Sequence, residues 1–116
     1  YHAAASILSN QVIAVLDMGY TLLEDCGFTR AEAVRATGQL VMRNIENVLE
    51  AGCDGALTGP IERNDIETVK KHIACMQNDD SDDVSLYKML GTKLVNIAEK
   101  KNPDKEYTQM MELLRG

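Results

Sequence analysis

Residues 1–16 carry no formal charge, yet their hydrophobic and polar positions are segregated. Drawn as a helix at about 100° per residue, the segment gathers its polar side chains within one arc: His2, Ser6, Ser9 and Asn10. The opposite side is apolar: Ala5, Leu8, Val12 and Val15. A solvated helix face normally carries Lys, Glu or Arg, so an uncharged hydrogen-bonding face is typical of a protein cleft or interface.

Start and stop signals divide the chain into helices with no convincing strand between them. The first helix is predicted from about residue 2 to residue 26 and ends at Gly27, a residue suited to a left-handed C-terminal position. Thr29 and Glu32 form a capping box that opens the second helix, and Gly52 closes it. We therefore expect two long helices in the first half of the chain.

The second helix repeats apolar positions at helical spacing: Val34, Gly38, Val41, Ile45 and Val48. A glycine in mid-helix costs about 1 kcal/mol relative to alanine. Close approach of the alanine-rich first helix to Gly38 would offset this cost.

Three further helices follow a non-helical stretch, residues 54–63, that contains Gly59 and Pro60. Asn64 is predicted to cap the third helix, which buries Ile66, Val69, Ile73 and Met76. The fourth, about residues 83–101, is predicted to bury Leu86, Leu90, Leu94 and Ile97. Asp104 is predicted to cap the last, which carries Tyr107, Met110, Met111 and Leu114. The prediction is an all-α bundle of about five helices with a long N-terminal helix, forming a single domain over residues 1–116.

Composition narrows the function classes. The net charge of −6 argues against a nucleic-acid or anionic-membrane surface, which needs clustered Lys and Arg. The uncharged opening run is too short and too polar to span a bilayer, and no signal peptide is recognisable. The three cysteines are widely spaced and indicate neither disulfides nor zinc, so a reducing cytoplasm is expected. The chain begins with Tyr1 rather than Met, which suggests a fragment or a processed product.

An acidic run surrounds Ser81: Asp79, Asp80, Asp82 and Asp83. Its preferred interpretation is a set of carboxylates favoured by the dipole at a helix N-terminus. A calcium loop is the alternative, but the required ligand spacing and the distal Glu are absent. No metal site is predicted.

The opening stripe is the first candidate for chemistry. His2 with Ser9 and Asn10 would supply a proton donor and hydrogen-bond partners to a carbonyl or hydroxyl substrate. The alternative is that the serines and Asn10 bond backbone carbonyls or a neighbouring helix, and that His2 is a frayed end. Position alone favours that alternative.

The second candidate is the loop that carries Thr58, Gly59, Pro60, Arg63 and Asp65. A Gly-Pro turn leading into a helix N-terminus would present backbone N–H groups and a guanidinium to an anionic ligand. The alternative is an ordinary loop with solvated charges. No phosphate-loop or dinucleotide fingerprint is present, so the chain alone holds no complete active site.

Three segments resemble a known family: YHAAASILSN, LTGPIERND and SLYKMLGTKLVNIA. They are similar to the C-terminal helical domain, of unknown function, that follows a Rossmann-like domain in NADP-dependent oxidoreductases. That domain is similar in role to the helical domains of 6-phosphogluconate dehydrogenase, ketopantoate reductase and pyrroline-5-carboxylate reductase, which dimerise and complete the active-site cleft.

The resemblance implies roles for individual residues. His2, Ser9 and Asn10 match polar positions of the family's first helix, and His2 would be the acid/base and Asn10 the substrate anchor. The other matching positions would contact substrate: Asn47, Thr58, Gly59, Pro60, Arg63 and Asp65. NADP would be held by the absent Rossmann domain, and a homodimer acting on a small molecule is expected.

Two other functions stay open. The stripe would equally suit a non-enzymatic helical module in which it forms a homodimer or partner interface. A metal-binding or small-molecule-binding bundle ranks last, because the chain has only two histidines, His2 and His72, and no Glu-x-x-His pair.

Overall fold

The computed structural model describes residues 1–77 and 82–116, and both ranges are helical without a strand. Helix α1 runs His2–Asp25, with a π-helical stretch at Ile7–Gln11. The helices that follow are α2 (Arg30–Ala56), α3 (Ile66–Met76), α4 (Asp83–Lys101) and α5 (Thr108–Arg115). The predicted all-α fold with a long first helix is confirmed. Residues 79–81 of the acidic run lie outside the described residues.

The chain forms two compact units, Tyr1–Arg43 and Asn44–Gly116, and α2 supplies residues to both. Its backbone departs from helical geometry at Gly52, the predicted helix end, with φ 78° and ψ 173°, and a short helical segment then continues to Ala56, within the stretch predicted to be non-helical. The left-handed φ explains why glycine occupies this position.

In the first unit, the turn between α1 and α2 follows the predicted signals. Gly27 is left-handed at φ 103°, and the Phe28 N–H donates to the Leu23 carbonyl at 3.1 Å, as in a Schellman motif. The capping box is reciprocal. The Thr29 N–H donates to Glu32 Oε1 at 2.8 Å, and the Glu32 N–H donates to Thr29 Oγ1 at 3.1 Å. These hydrogen bonds lower the pKa of Glu32.

Arg30 ties the two helices of this unit together. Its guanidinium lies 3.1 Å from Asp17 Oδ1 and 2.7 Å from Glu24 Oε1, and donates to Thr21 Oγ1 at 3.2 Å. It also sits 5.6 Å from the centroid of the Tyr20 ring. The four partners follow the i, i+3, i+4, i+7 spacing from Asp17 to Glu24, so they share one face of α1.

The first unit has almost no core, because Ala33 is its only buried hydrophobic residue. An apolar cleft of about 180 Å³ separates Leu16 and Leu23 of α1 from Leu40 of α2. No atom lies within 4 Å of a Cβ placed at Gly38, so the expected close approach of α1 to this glycine is wrong. Gly38 lies on a different face of α2 from the residues that line the cleft.

Helix α1 has no buried residue, and residues 7–15 are all exposed. It is long and apolar enough to cross a membrane by length and composition, with a mean hydropathy of 1.2 and none of that window buried. The uncharged run of residues 1–16 was expected to be too short to span a bilayer, but the helix that contains most of it has 24 residues. A single helix of this kind is weak evidence for a membrane span, and a signal sequence passes the same test.

The second unit contains the hydrophobic core: Ile61, Val69, Ile73, Val95, Ala98, Tyr107, Met110 and Leu114. The buried edge predicted for α3 is confirmed at Val69, Ile73 and Met76, with Ile66 packed against the core.

The face predicted for α4 is only partly confirmed. Leu94 packs against the core, whereas Leu86 is exposed, and the fully buried positions are Gly91, Val95 and Ala98. A Cβ at Gly91 would lie 2.8 Å from Leu114 Cδ2, so small residues admit α5 to this side of α4.

Two predicted caps are also displaced. Asn64 is left-handed at φ 59°, and Asp65 is the cap of α3, with Oδ1 accepting from the Thr68 N–H at 3.2 Å. Helix α5 begins at Thr108 after Tyr107, so Asp104 is not its cap.

Candidate functional site

The polar stripe lies where α1 changes its hydrogen-bonding pattern. Ser9 and Asn10 fall within the π-helical stretch Ile7–Gln11, and His2 begins the helix. Single π-helical turns inside α-helices are frequent at functional sites. The sequence pattern gave no indication of this stretch, since it assumes an ideal period of 3.6 residues.

Two of the stripe's four polar side chains are bonded within the helix. Ser9 Oγ donates to the Ala5 carbonyl at 2.6 Å, and Ser6 Oγ donates to Gln11 Oε1 at 3.1 Å. This is the backbone bonding that the alternative interpretation predicts for Ser9. His2 and Asn10 are exposed, and neither side chain hydrogen-bonds to another described residue. Within the stripe they are therefore the groups open to a ligand.

Spacing limits what this pair can do. His2 and Asn10 are separated by eight residues, which corresponds to about 12 Å along a helix at 1.5 Å per residue. Two groups that far apart cannot bond the same atom. In one copy they would therefore contact different parts of a substrate.

The loop between α2 and α3 folds back on itself. Gly59 takes φ 100°, the Arg63 N–H donates to the Gly59 carbonyl at 3.1 Å, and the Asp65 N–H donates to the Pro60 carbonyl at 2.8 Å. Ile61 extends from this loop into the core. Because these N–H groups are already bonded, an anion would find the Arg63 guanidinium here rather than a set of backbone donors.

Arg63 and Asp65, at the end of this loop, form a loose ion pair. Arg63 Nη2 lies 4.0 Å from Asp65 Oδ2, and its side chain is 59% exposed. Thr68 lowers the pKa of Asp65 by donating from its hydroxyl to Oδ2 at 2.8 Å and from its backbone N–H to Oδ1. Asp65 is therefore an ionised cap as well as a predicted substrate contact.

Long-range hydrogen bonds join the loop to residues 101–107. Lys101 Nζ donates to the Leu57 carbonyl at 2.6 Å, and Asn64 Nδ2 donates to the Glu106 carbonyl at 2.9 Å. The Tyr107 hydroxyl donates to the Glu62 carbonyl at 2.7 Å. Sequence reasoning missed these anchors, because the partners lie 42 to 45 residues apart and no local pattern links them.

Asn102 adds two further hydrogen bonds to this network. Asn102 Nδ2 donates both to Glu62 Oε2 and to the Tyr107 hydroxyl, at 3.0 Å each, and Lys105 Nζ lies 3.6 Å from Glu62 Oε2. The loop that carries the predicted residues is thus held rigidly.

Thr58 opens onto a small cleft in the second unit, of about 220 Å³. The cleft is mainly aliphatic, with three polar groups among its lining: Asn44, Val48, Cys53, Ala56, Leu57, Thr58, Leu94 and Ile97. Asn47 is exposed and follows Asn44 by three residues on α2, so it lies on nearly the same side of the helix. Pockets that are mostly apolar with a few polar groups are typical of small-molecule sites.

The structure brings the predicted residues together in two groups. His2, Ser9 and Asn10 lie in the first unit, and Asn47, Thr58, Gly59, Pro60, Arg63 and Asp65 lie in the second. An open groove of about 710 Å³ lies beside α5 and Tyr107, and none of the predicted residues lines it.

One comparison with known proteins gives a match. A family model described as Domain of unknown function (DUF2520) matches residues 1–94, a range that contains every predicted site residue. No curated protein and no solved structure matches the chain.

Proposed function

We propose that this chain, which belongs to the DUF2520 family, is the substrate-binding and dimerisation half of an NAD(P)-dependent oxidoreductase. A Rossmann-like domain would precede it and hold the cofactor, in the arrangement of the 6-phosphogluconate dehydrogenase type, whose helical domains would be similar to it in role. The helical half would form one wall of the cleft.

The observation that carries the proposal is the state of helix α1. It has no buried residue, and it carries no charged side chain before Asp17. Exposed apolar surface of this kind is typical of a face that another domain or subunit covers. A polar stripe with two unbonded side chains, His2 and Asn10, would then face the enclosed cleft.

The chain's own residues do not fit a dinucleotide. Dinucleotide sites use a glycine-rich turn between a strand and a helix, and the described ranges contain no strand. The cofactor is therefore assigned to the other domain, and the role of this chain is to bind and orient the substrate.

We propose that different residues of the chain bind different parts of the substrate. Asn10 would hydrogen-bond the substrate as an anchor, and His2, about 12 Å away, would exchange a proton with another part of it or with a second bound group. Thr58 at the aliphatic cleft and the exposed guanidinium of Arg63 would contact its apolar and anionic portions.

The test uses the complete gene product. NADPH is titrated, and NADPH-dependent reduction of a panel of small carbonyl compounds is followed by cofactor absorbance. We expect saturable NADPH binding, and we expect Asn10→Ala and His2→Ala to lower turnover at least tenfold with little change in NADPH affinity. Ser9→Ala is the matched control, because the Ser9 hydroxyl is bonded to its own helix. Wild-type turnover in both variants would refute the catalytic roles.

The exposed apolar surface also favours a second candidate, a non-enzymatic helical interaction module. Ile7, Leu8 and Ile13 of α1 and Leu40 of α2 are all more than half exposed. This candidate predicts that the complete gene product associates with itself or a partner but does not bind NADPH. Substrate-dependent NADPH oxidation would exclude it.

A further inference from the structure

The groove of about 710 Å³ in the second unit is formed by one face of α4 and one face of α5. Val95 and Glu99 line it from α4, one helical turn apart. Residues 108, 111, 112 and 115 line it from α5, and this spacing also places them on one face of their helix. The neighbouring face of α5 carries Met110 and Leu114 of the core. The groove is therefore built on packed helices.

The apolar part of the groove belongs to the core. Val95 is 1% exposed and Tyr107 is 3% exposed, and Met111 is half-buried and packs against the core. The Tyr107 hydroxyl is held by its hydrogen bonds to the Glu62 carbonyl and to Asn102. An apolar surface fixed in this way needs no rearrangement to receive a ligand.

The charged side chains of the groove are mostly acidic and unpaired. Glu99, Glu106 and Glu112 line it, and none of their carboxylates bonds to another described residue. Lys105 also lines it, but its Nζ lies 3.6 Å from a carboxylate that does not line the groove. Arg115 is the remaining cation among the lining residues. Carboxylates without partners therefore outnumber the available cations.

This combination selects the charge of an occupant. A surplus of carboxylates repels nucleic-acid phosphates and anionic lipid headgroups, which bind to clustered Lys and Arg. It attracts cations, and the apolar surface beside it favours an occupant that also carries an aliphatic group. The complementary ligand is basic and partly apolar.

The shape of the groove favours a peptide. Small-molecule sites enclose most of the ligand surface, whereas this groove is open, and surface grooves commonly bind short peptide segments. From residue 108 to residue 115 the face of α5 extends about 10 Å at 1.5 Å per residue. An extended segment of about three residues covers this length at roughly 3.3 Å per residue.

We propose that the groove between α4 and α5 binds a short basic segment of a partner protein. An aliphatic side chain of the segment lies on Val95, Tyr107 and Met111, and the Lys or Arg residues beside it pair with Glu99, Glu106 and Glu112. Exposed ion pairs contribute little each, so the complex is weak and transient. None of the residues assigned to the substrate lines the groove, so the inference does not depend on the proposed function.

Three capped synthetic pentapeptides test the proposal by titration into the ¹⁵N-labelled chain. The sequence KLKLK supplies both charge and aliphatic groups, ELELE reverses the charge, and KGKGK removes the aliphatic groups. We expect saturable amide shifts with KLKLK that are confined to residues 95–116 and their immediate contacts. ELELE should not bind, and KGKGK should bind about tenfold more weakly because it has no leucine to bury.

Variants locate the contacts. Glu99→Gln and Glu112→Gln should each raise the dissociation constant of KLKLK about threefold, and together about tenfold. Glu50→Gln is the matched control, because it removes one carboxylate from an exposed residue that does not line the groove, and it should leave binding unchanged. Met111→Ala should weaken KLKLK but not KGKGK. Circular dichroism confirms that each variant is folded.

Several results would overturn the proposal. These are the absence of KLKLK binding at millimolar concentration, equal binding of ELELE, or equal losses in Glu50→Gln and Glu112→Gln. Spermidine is titrated in parallel, since it carries charge without a peptide backbone. Binding of spermidine as tight as that of KLKLK would replace the peptide by a small polyamine and so overturn the assignment of a protein partner.

Discussion

Replacing Tyr107 by phenylalanine removes the hydroxyl that joins three parts of the second unit. That hydroxyl donates to the Glu62 carbonyl at 2.7 Å and accepts from Asn102 Nδ2 at 3.0 Å. Tyr107 is 3% exposed, so water cannot readily replace the lost partner. The change should therefore loosen the loop that carries Thr58 and Arg63.

The magnitude follows from the hydrogen bonds that are lost. A buried acceptor left without its donor costs about 1–3 kcal/mol, and Asn102 keeps its second bond to Glu62 Oε2. We expect Tyr107→Phe to lower the free energy of unfolding by about 2 kcal/mol. For a chain of this size that is a fall of roughly 6–12 °C in Tm.

Urea unfolding followed by circular dichroism measures this change. Tyr20→Phe is the matched control, because the Tyr20 hydroxyl bonds to no other described residue while its ring packs beside Arg30. Hydrogen exchange at the amides of residues 57–65 should quicken in Tyr107→Phe alone. Equal losses in the two variants, or a loss below about 0.5 kcal/mol for Tyr107→Phe, would refute the anchoring role.

Three other predictions address local features. Gly38→Ala should stabilise the monomer by up to about 1 kcal/mol through helix propensity. Gly91→Ala should be destabilising, because its added methyl group has no room. Thermal melts at low protein concentration compare the two variants. Hydrogen bonds from Thr68 lower the pKa of Asp65, so the stability that ionised Asp65 contributes is present above about pH 4 and is lost as pH falls through the lowered pKa. Thr68→Val should make this loss of stability at acidic pH smaller. Urea midpoints measured against pH test the prediction. Arg30→Met should cost about 1 kcal/mol or less, and the difference should shrink at high salt, since these ion pairs are exposed.

Local signals in the sequence predicted the helix ends well. Gly27, the Thr29–Glu32 capping box and Gly52 lie where the pattern places them, because these motifs act through backbone groups a few residues apart. Two predicted caps are exceptions, Asn64 and Asp104. At the first, the side chains of Asn64 and Asp65 both suit a cap, and only the left-handed turn at Asn64 decides between them.

Features set by distant contacts could not be predicted. The buried face of α4 includes Gly91, where Leu114 of α5 leaves no space for a Cβ, whereas the apolar period alone pointed to Leu86. Hydrogen bonds anchor the candidate loop to residues 101–107, which lie 42 to 45 residues from their partners, so no local pattern predicts them. The loop's residue types were recognisable, but its rigidity was not.

The stripe on α1 is an intermediate case. Its lack of charge is readable from the sequence, whereas the π-helical stretch and the Ser9 hydrogen bond are not. Those two findings reduce the stripe to His2 and Asn10 as groups open to a ligand.

Fluorescence titration of NADPH, on residues 1–116 alone and on the complete gene product, is the decisive test of the proposed function. We expect saturable binding by the complete gene product and none by residues 1–116, because the proposed Rossmann-like domain would hold the cofactor. Failure of the complete gene product to bind NADPH or NADH, or binding by residues 1–116 alone, would contradict it.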